Sequence, residues 1–204
     1  MYADRASAGE LLGEQLAVQS IRPDAVFAGS PGAVKVTRPL CDRFEADCGL
    51  LVAESIRAPS STSLPVGAVT NTGATWLDDE RVAALDVERA KLETKYAEAL
   101  QKARNKHTVY EDVTTNPDPE GTLAVVTEAL TTESRLRACV SALRQGSDCD
   151  IIAAAPVGVA DVIAEVESVV DEVVVEEVVS ETRLNRAFYD GFGMPLGPGY
   201  SESD

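Results

Sequence analysis

The sequence contains few of the residues from which metal sites are commonly built. Its 204 residues include one histidine, His107, and four cysteines, and no two of the cysteines form a C-x-x-C pair. A structural zinc site needs clustered cysteine and histidine ligands, so this composition argues against one, and no metal site is predicted. We expect the four thiols to be reduced and packed as small hydrophobic side chains, as is usual in cytosolic proteins.

Long apolar segments are also missing. No uninterrupted apolar run approaches the roughly 18 residues that read as a membrane-spanning helix. The opening stretch MYADRASAGELL carries charges where a secretory signal peptide needs an apolar run. Together these absences predict a cytoplasmic protein with no membrane association.

Basic residues are scarce, lysine above all. The chain has 34 acidic residues against 18 basic ones, a net charge of −16, and only five of the basic residues are lysines. An acid-rich, lysine-poor surface suits a cytoplasm of molar salt, where repulsion is screened within ~3 Å, so we expect a halophilic host rather than an ordinary acidic protein. The acids are dispersed, which disfavours an acidic tail for partner binding. The same charge makes nucleic acid an unfavourable partner.

What the sequence does contain is an alternation of strand and helix patterns. This order predicts an α/β fold with a mostly parallel central sheet flanked by helices. Residues 66–77 alternate around Asn71-Thr72-Gly73, which predicts a β-hairpin, and residues 78–107 form one long helical pattern. The other predicted helices cover residues 7–19, 30–47, 132–146 and 159–168, and the other predicted strands cover residues 24–29, 48–56, 122–130, 149–157 and 169–179.

The segment TLAVVTEALTTESRLRA, residues 122–138, combines a buried strand, a polar turn and the start of an amphipathic helix. Such turns hold phosphates in many α/β proteins and usually contain glycine, because the backbone must approach the anion closely. This turn has no glycine; Thr131, Thr132 and Ser134 offer hydroxyl and N–H groups, whereas Glu133 would repel an anion. The alternative is an ordinary helix N-terminus, capped by a threonine, with Glu133 complementing the helix dipole.

Three predicted strands end in the polar segments AGSPGAVK, AESIRAP and VTEALTTES. Ligands of open α/β sheets bind at the carboxyl ends of the strands, so we expect these segments to converge on one cleft if their strands are neighbours. The polar loop RAPSSTSLP is a candidate mobile segment. Near the end of the chain, Phe188, Tyr189 and Phe192 are expected to pack the C-terminus onto the domain, with base stacking as the alternative.

Residues 89–106 carry four of the five lysines of the chain. A basic segment in so acidic a protein could face an anionic ligand or the acidic surface of a partner. The alternative is a solvated helix face supported by ion pairs such as Glu98–Lys102, four residues apart.

The order of these pieces resembles the predicted type I phosphoribosyltransferases that open with an aspartate-arginine and alanine-glycine signature. Here the opening stands as YADRASAG, and the likeness continues through VFAGSPGAVKV, LLVAESIRAP, PVGAV, WLDDE, TLAVVTEALTTESRLRA, ALRQG, IIAAAPVG, VVDEVVV and AFYDGF. Because it covers nearly the whole chain, the resemblance implies one domain over residues 1–204 with a Rossmann-like parallel sheet and a small hood. It also implies transfer of ribose 5-phosphate from phosphoribosyl pyrophosphate to a base-like acceptor with magnesium, and a homodimer.

Several positions differ from the family's motifs. In the loop that binds phosphoribosyl pyrophosphate in the family, the resemblance implies that Glu128 and Thr132 keep the family's residue types. Thr127 stands for an acidic residue, and Glu133 stands for the glycine that admits the 5-phosphate. Elsewhere Ser30 stands for an arginine of the pyrophosphate-contacting segment.

The same segment keeps Gly32, and Glu54-Ser55 stand for an arginine-lysine pair. We predict that the protein has lost catalysis and serves as a binding or regulatory module for a small phosphorylated ligand or a protein partner. The alternative is an active transferase that uses magnesium with phosphoribosyl pyrophosphate, and no other cofactor is expected. The phosphate-binding candidates are Ser30, Gly32, Thr131, Thr132 and Ser134, with Glu128 as the vestigial catalytic candidate.

Overall fold

The computed structural model describes residues 2–58, 65–110, 114–115, 117–118, 120–145 and 148–180. The serine- and proline-rich stretch at residues 59–64 and the aromatic cluster at residues 188–192 lie outside them. The helices are α1 (Arg5–Val18), α2 (Val34–Phe44), α3 (Asp79–Ala84), α4 (Arg89–Tyr110), α5 (Glu133–Leu143) and α6 (Ala160–Val166). The strands are β1 (Ala25–Ala28), β2 (Asp47–Leu50), β3 (Ala53–Arg57), β4 (Pro65–Thr70), β5 (Thr75–Leu77), β6 (Thr122–Val126), β7 (Asp150–Val159) and β8 (Glu172–Val179).

Five strands form a parallel sheet in the order β2-β1-β6-β7-β8. Helices cover both faces, which is why the central strands β1, β6 and β7 are nearly continuous apolar runs. On one face Leu16 of α1 and Leu40 of α2 pack with Val26 of β1. On the other face Leu136 of α5 packs with Ile151 of β7. The predicted α/β fold with helices on both sides of a parallel sheet is confirmed.

The strand order of this sheet reverses between β1 and β6. From β1 the chain moves to β2 on one side, and it later returns to β6 on the other side of β1. The connections that follow β1 and β6 therefore leave in opposite directions, and a crevice opens at the carboxyl ends of the two strands.

A small antiparallel sheet, β3-β4-β5, packs against α4 and α5. The predicted hairpin is confirmed: β4 and β5 are joined through Asn71 and Gly73, and Gly73 has a φ of 96°, which favours glycine. Asn71 also fixes this sheet to the segment that leaves β2, since its Oδ1 accepts a hydrogen bond from Val52 N at 3.0 Å. The small sheet corresponds to the small hood that the family resemblance implies.

Two predicted elements are divided in the structure. The predicted strand at residues 48–56 is two strands, β2 and β3, in different sheets. The chain stays beside β1 as far as Leu51, whose N–H donates to Ala28 O, and it then turns towards the hairpin. The predicted helix at residues 78–107 is α3 and α4, separated where Asp86 adopts a left-handed conformation with φ of 46°. No helix among the described residues is long and apolar enough to cross a membrane.

The sequence analysis expected four reduced cysteines, and this expectation is wrong for two of them. Cys41 in α2 and Cys48 in β2 form a disulfide bond. The turn between α2 and β2 brings them together: Glu45 has a left-handed φ of 54°, and Ala46 N donates to Cys41 O at 3.0 Å. Sequence spacing alone does not reveal this turn.

Thiol labelling is expected to count two free cysteines. Cys139 and Cys149 are buried and lie outside the disulfide bond, and burial raises the pKa of the Cys139 thiol to about 12. At about pH 8 only about one Cys139 in ten thousand is a thiolate, the form that reacts with iodoacetamide. The native protein should resist labelling, the unfolded protein should take up two labels, and the reduced, unfolded protein four, as counted by intact mass. Four labels without reductant would contradict the disulfide.

Candidate functional site

A cleft of about 240 Å³ opens at the reversal of strand order. It is lined by Gly29 and Ser30, which follow β1, by residues 127–132, which follow β6, and by Arg135, Leu136 and Cys139 of α5. Two of the three predicted polar segments therefore meet at one place. Cys139 forms part of the wall as a neutral thiol, since burial raises its pKa to about 12.

The first turn of α5 faces this cleft without a side-chain cap. Thr132 occupies the N-cap position in an extended conformation, with φ of −151° and ψ of 142°. Within the described part of the chain its side chain makes no capping hydrogen bond. The first N–H groups of a helix have no partner inside the helix and carry partial positive charge. An anion in the cleft can accept hydrogen bonds from them.

Two hydroxyl groups beside this turn are buried and have no hydrogen-bond partner among the described residues. They are Thr127 Oγ1, which follows β6, and Ser134 Oγ, in the first turn of α5. A buried polar group left unsatisfied costs about 1–3 kcal/mol, so such groups usually pair with water or a ligand. Thr127 lines the cleft itself, whereas Ser134 is fully buried.

Glu133 does not line this cleft, although the sequence analysis placed its charge where an anion would bind. Its carboxylate lies 3.8 Å from Arg81 Nη1, and the side chain is only 12% exposed. Arg81 belongs to α3 and also pairs with Asp78 at 3.2 Å. The arginine compensates the charge of Glu133 and holds it on the side of α3. Sequence spacing could not reveal this, because Arg81 and Glu133 are far apart along the chain.

Glu128 is the carboxylate that lines the cleft, and Arg5 holds it. Arg5 Nε donates to Glu128 Oε1 at 2.6 Å, and the two side chains are 12% and 22% exposed. Ser30 Oγ donates to Glu128 Oε2 over a longer distance of 3.5 Å. Gly32 lies against the same carboxylate, and a Cβ at this position would overlap it. Both oxygens of Glu128 are therefore engaged by groups of the protein.

Local sequence explains the position of Arg5. Asp4 caps α1 by accepting a hydrogen bond from Ser7 N at 2.8 Å, and Ser7 Oγ accepts one from Asp4 N at 3.0 Å. The hydrogen bond from the Ser7 backbone, and then that from its hydroxyl, lowers the pKa of Asp4. This capping box makes Arg5 the first residue of the helix. Tyr2 anchors the same segment to β7 by donating to Pro156 O at 2.8 Å.

The structure brings together most of the predicted site residues. Ser30, Glu128, Thr131 and Thr132 line the cleft. Gly32 and Ser134 are buried and are not among the residues that line it.

Two arginines of the site were missed by sequence reasoning. Arg135 lines the cleft. Its position in the first turn of the predicted helix could have identified it as a cation near a bound anion. Arg5 belongs to the aspartate-arginine pair of YADRASAG, but sequence alone does not connect it to Glu128.

The described part of the third predicted polar segment, residues 53–58, does not line the cleft. Glu54 and Ser55 belong to β3 of the small sheet, so the expected convergence of three loops is wrong for this one. Glu54 instead pairs with Lys106 of α4 at 2.6 Å. The strand that the sequence analysis drew through these residues leaves the parallel sheet before it reaches them.

The basic segment of α4 is largely neutralised by acidic neighbours. Glu98 accepts from Lys95 at 2.8 Å, three residues earlier, rather than from Lys102 as expected. This hydrogen bond from Lys95 lowers the pKa of Glu98. Among the described residues, α4 also forms the pairs Arg89–Glu93, Lys91–Glu88 and Lys106–Glu54. The contacts favour a solvated helix face.

The described residues offer little to a magnesium ion. Among them no group of three or more histidine, cysteine, aspartate or glutamate residues could hold a metal ion. In the cleft the one carboxylate among the described lining residues is Glu128, which already pairs with Arg5. Magnesium is usually bound by one or two carboxylates together with substrate phosphates. This donor set does not fit such a site.

Fold and cleft together define an α/β protein with a candidate anion site at a helix N-terminus. No protein-family model matches the chain. Two proteins from different strains of Mycobacterium tuberculosis, each provisionally named a phosphoribosyl transferase, are 24% identical to it over 176 residues. The match covers 85% of this chain but 40% of those proteins, so the chain spans less than half the length of these curated relatives.

Two solved structures share the fold. The protein TT1426 from Thermus thermophilus matches with a TM-score of 0.76 and 23% identity, covering 94% of this chain and 91% of that one. The AQ2163 protein from Aquifex aeolicus matches with a TM-score of 0.52 and 10% identity, covering 86% and 75% of the two chains. The chain is thus similar in sequence to proteins named phosphoribosyl transferases, and its architecture recurs in the solved proteins from Thermus thermophilus and Aquifex aeolicus.

Proposed function

We propose that this chain is a phosphoribosyltransferase-like domain that binds a small phosphorylated ligand and has lost group transfer. The observation that carries the proposal is the uncapped first turn of α5 beside the buried hydroxyl of Thr127. The names of the two mycobacterial relatives support the assignment to this class.

The phosphate group would lie between the turn that follows β6 and the first turn of α5. Thr131 and Thr132 line this part of the cleft, and Arg135 supplies a positive charge at its edge. The carboxylate that sequence analysis expected to repel the phosphate, that of Glu133, pairs with Arg81. Backbone N–H groups, hydroxyls and one arginine form a donor set suited to a phosphate monoester.

Group transfer requires more than phosphate binding. The departure of pyrophosphate develops negative charge, and each contact that stabilises such charge contributes about 3–4 kcal/mol. Among the described lining residues the one basic side chain is Arg135, and the nearby Arg5 is compensated by Glu128. The carboxylate of Glu128 accepts hydrogen bonds from Arg5 and Ser30, so it is not reserved for a ligand. These contacts favour a module that binds without transfer.

An active phosphoribosyltransferase is the second candidate. The observation in its favour is that Glu128, the acid kept in the family's motif, lines the cleft at the end of β6. In such an enzyme magnesium would have to enter bound to phosphoribosyl pyrophosphate, because the described lining residues supply no second carboxylate.

Calorimetry and a turnover assay distinguish the two candidates. In buffer of about molar potassium chloride, we expect saturable binding of ribose 5-phosphate. We expect no pyrophosphate release from phosphoribosyl pyrophosphate with magnesium and a panel of bases. Turnover that disappears in Glu128→Ala would establish the active enzyme instead. Absence of binding by both ribose 5-phosphate and inorganic phosphate would reject the binding function.

The variant Arg135→Ala is expected to weaken binding of ribose 5-phosphate about tenfold. A charge-assisted hydrogen bond contributes about 1.5–3 kcal/mol, and we take the lower end because Arg135 is exposed. Arg144→Ala, at the C-cap of the same helix and paired with Asp171 outside this cleft, is the matched control and should leave the affinity unchanged. Equal affinities for both variants, measured by calorimetry, would remove Arg135 from the site.

A further inference from the structure

We propose that the protein has a second ligand site, a groove beside the C-terminal half of α5 that binds a monocarboxylate with an apolar body. The groove has a volume of about 450 Å³. It lies between Trp76 of β5, the side of α5 that carries Arg137, and the segment 168–171 that joins α6 to β8. None of the described residues that line it also lines the cleft, so this inference does not depend on the proposed function.

The cation of the groove is Arg137, whose guanidinium the protein leaves short of acceptors. Its Nη2 donates to Glu165 O at 2.8 Å and, over a longer distance of 3.5 Å, to Ser168 Oγ. Among the described residues, its Nε is buried without a partner, its Nη1 makes no hydrogen bond, and no carboxylate forms an ion pair with it. A guanidinium offers five N–H donors, so Nη1 is left for an acceptor from outside the chain.

The other two charged residues of the described lining neutralise each other. Arg144 Nη2 lies 2.9 Å from Asp171 Oδ2, and the same oxygen accepts a hydrogen bond from Ile151 N at 2.7 Å. The described lining therefore carries one net positive charge, in a chain whose net charge is −16. One charge suits a monoanion. A phosphate dianion is disfavoured, because the groove reaches the last turn of α5, where the helix dipole is negative.

Apolar side chains beside Arg137 define the rest of the ligand. Trp76 is half-buried, and Arg137 Cζ lies 5.1 Å from the centre of its ring, a cation–π contact that orients the guanidinium. Val169 and Val170 line the same groove and are partly exposed, so a ligand can cover them. A cation next to apolar surface matches a carboxylate attached to a hydrocarbon body.

The size of the groove favours a small molecule over a protein partner. Its volume falls within the ~300–1,000 Å³ that is typical of ligand pockets. Nine described residues line it, whereas a stable protein interface engages about 20–30 residues on each side. Its wall is also fixed, since Asp171 bonds both to α5 through Arg144 and to β7 through Ile151. Little ordering is therefore needed when a ligand binds.

The fluorescence of Trp76, the one tryptophan in the chain, reports whether the groove is occupied. The probes are cyclohexanecarboxylate and octanoate, each compared with its amide, which has a similar shape and no charge. We expect a saturable change of emission with both acids and about tenfold weaker binding of the amides, which lack the charge-assisted hydrogen bond to Arg137. Ribose 5-phosphate has no apolar body and should leave the emission unchanged.

The variant Ser141→Glu tests the role of Arg137 without removing it. Ser141 lines the groove four residues after Arg137 on α5, so the new carboxylate supplies the missing counterion from within the chain. The preference for acid over amide should then fall from about tenfold to within about twofold. Ser141→Gln is matched in size but neutral, and it should keep the tenfold preference. Thermal melting verifies that both variants are folded.

The outcomes that overturn the inference are distinct. Failure of both acids to give a saturable change of emission in the wild-type chain, or equal affinities for acid and amide, rejects the carboxylate site. A change of emission with ribose 5-phosphate rejects its selectivity against phosphate esters. A tenfold preference that persists in Ser141→Glu, or a preference lost equally in both variants, rejects the role of Arg137 as the group that recognises the carboxylate.

Discussion

Replacing Thr132 with aspartate is expected to lower the affinity for ribose 5-phosphate about a hundredfold without destabilising the protein. Thr132 occupies the N-cap of α5 but makes no capping hydrogen bond within the described part of the chain. Aspartate is a strong N-cap, so its carboxylate would take the N–H groups that the ligand phosphate needs. It would also repel that phosphate, and the two effects together amount to about 3 kcal/mol. Calorimetry gives the affinity and thermal melting the stability.

Two matched variants separate the causes of this loss. Thr132→Asn also caps the helix but adds no charge, so its affinity should lie between those of Thr132→Asp and the wild-type chain. Thr132→Ser keeps the hydroxyl and should bind within about twofold of the wild-type chain. If Thr132→Asp binds as tightly as Thr132→Ser, the ligand phosphate does not contact the first turn of α5.

The variant Gly9→Ala is expected to reduce the free energy of unfolding by about 1–2 kcal/mol. Gly9 of α1 faces Val36 of α2, and a Cβ at this position would overlap the Val36 carbonyl oxygen. That atom belongs to the backbone of another helix, so α1 and α2 would have to separate, and overpacking of this kind costs about 1–3 kcal/mol. The clash exceeds the gain of up to ~1 kcal/mol that alanine brings to a helix.

Gly13→Ala is the matched control, four residues later on the same helix. Its Cβ would lie 3.2 Å from Arg43 Cδ, part of a flexible side chain that can move. We therefore expect this variant to be as stable as the wild-type chain or slightly more stable. Urea unfolding followed by the fluorescence of Trp76, the one tryptophan in the chain, measures both. Equal stability of the two variants would contradict the close packing of α1 on α2.

The architecture was predictable because local patterns are enough to specify it. Alternation of strand and helix patterns predicted the parallel sheet with helices on both faces. The turn at Asn71-Thr72-Gly73 predicted the hairpin that the structure contains. The strand-turn-helix pattern at residues 122–138 predicted the loop that, with the end of β1, forms the cleft.

The interactions that decide the character of the site were not predictable, because they join residues distant in sequence. Arg5 meets Glu128 across 123 positions of the chain. Arg81 draws the carboxylate of Glu133 towards α3. A sequence pattern gives the spacing of charges along one element but not their pairing between elements. The same limit applies to the disulfide bond between Cys41 and Cys48, which depends on the turn between α2 and β2.

Several expectations from the sequence remain predictions. The halophilic host rests on the net charge of −16 and the scarcity of lysine. The homodimer rests on family resemblance, and the cytoplasmic location rests on the composition. Packing of Phe188 and Tyr189 onto the domain concerns residues outside those that the structure describes.

The central claim is that a phosphate ester binds at the first turn of α5. It is tested most directly by nuclear magnetic resonance on ¹⁵N-labelled protein titrated with ribose 5-phosphate. We predict that the amide signals of residues 132–135 move progressively and saturate, while those near Trp76 and Asp171, which line a separate groove on the far part of α5, remain in place. Saturable shifts confined to that groove, or no saturable shift at residues 132–135, would contradict the claim.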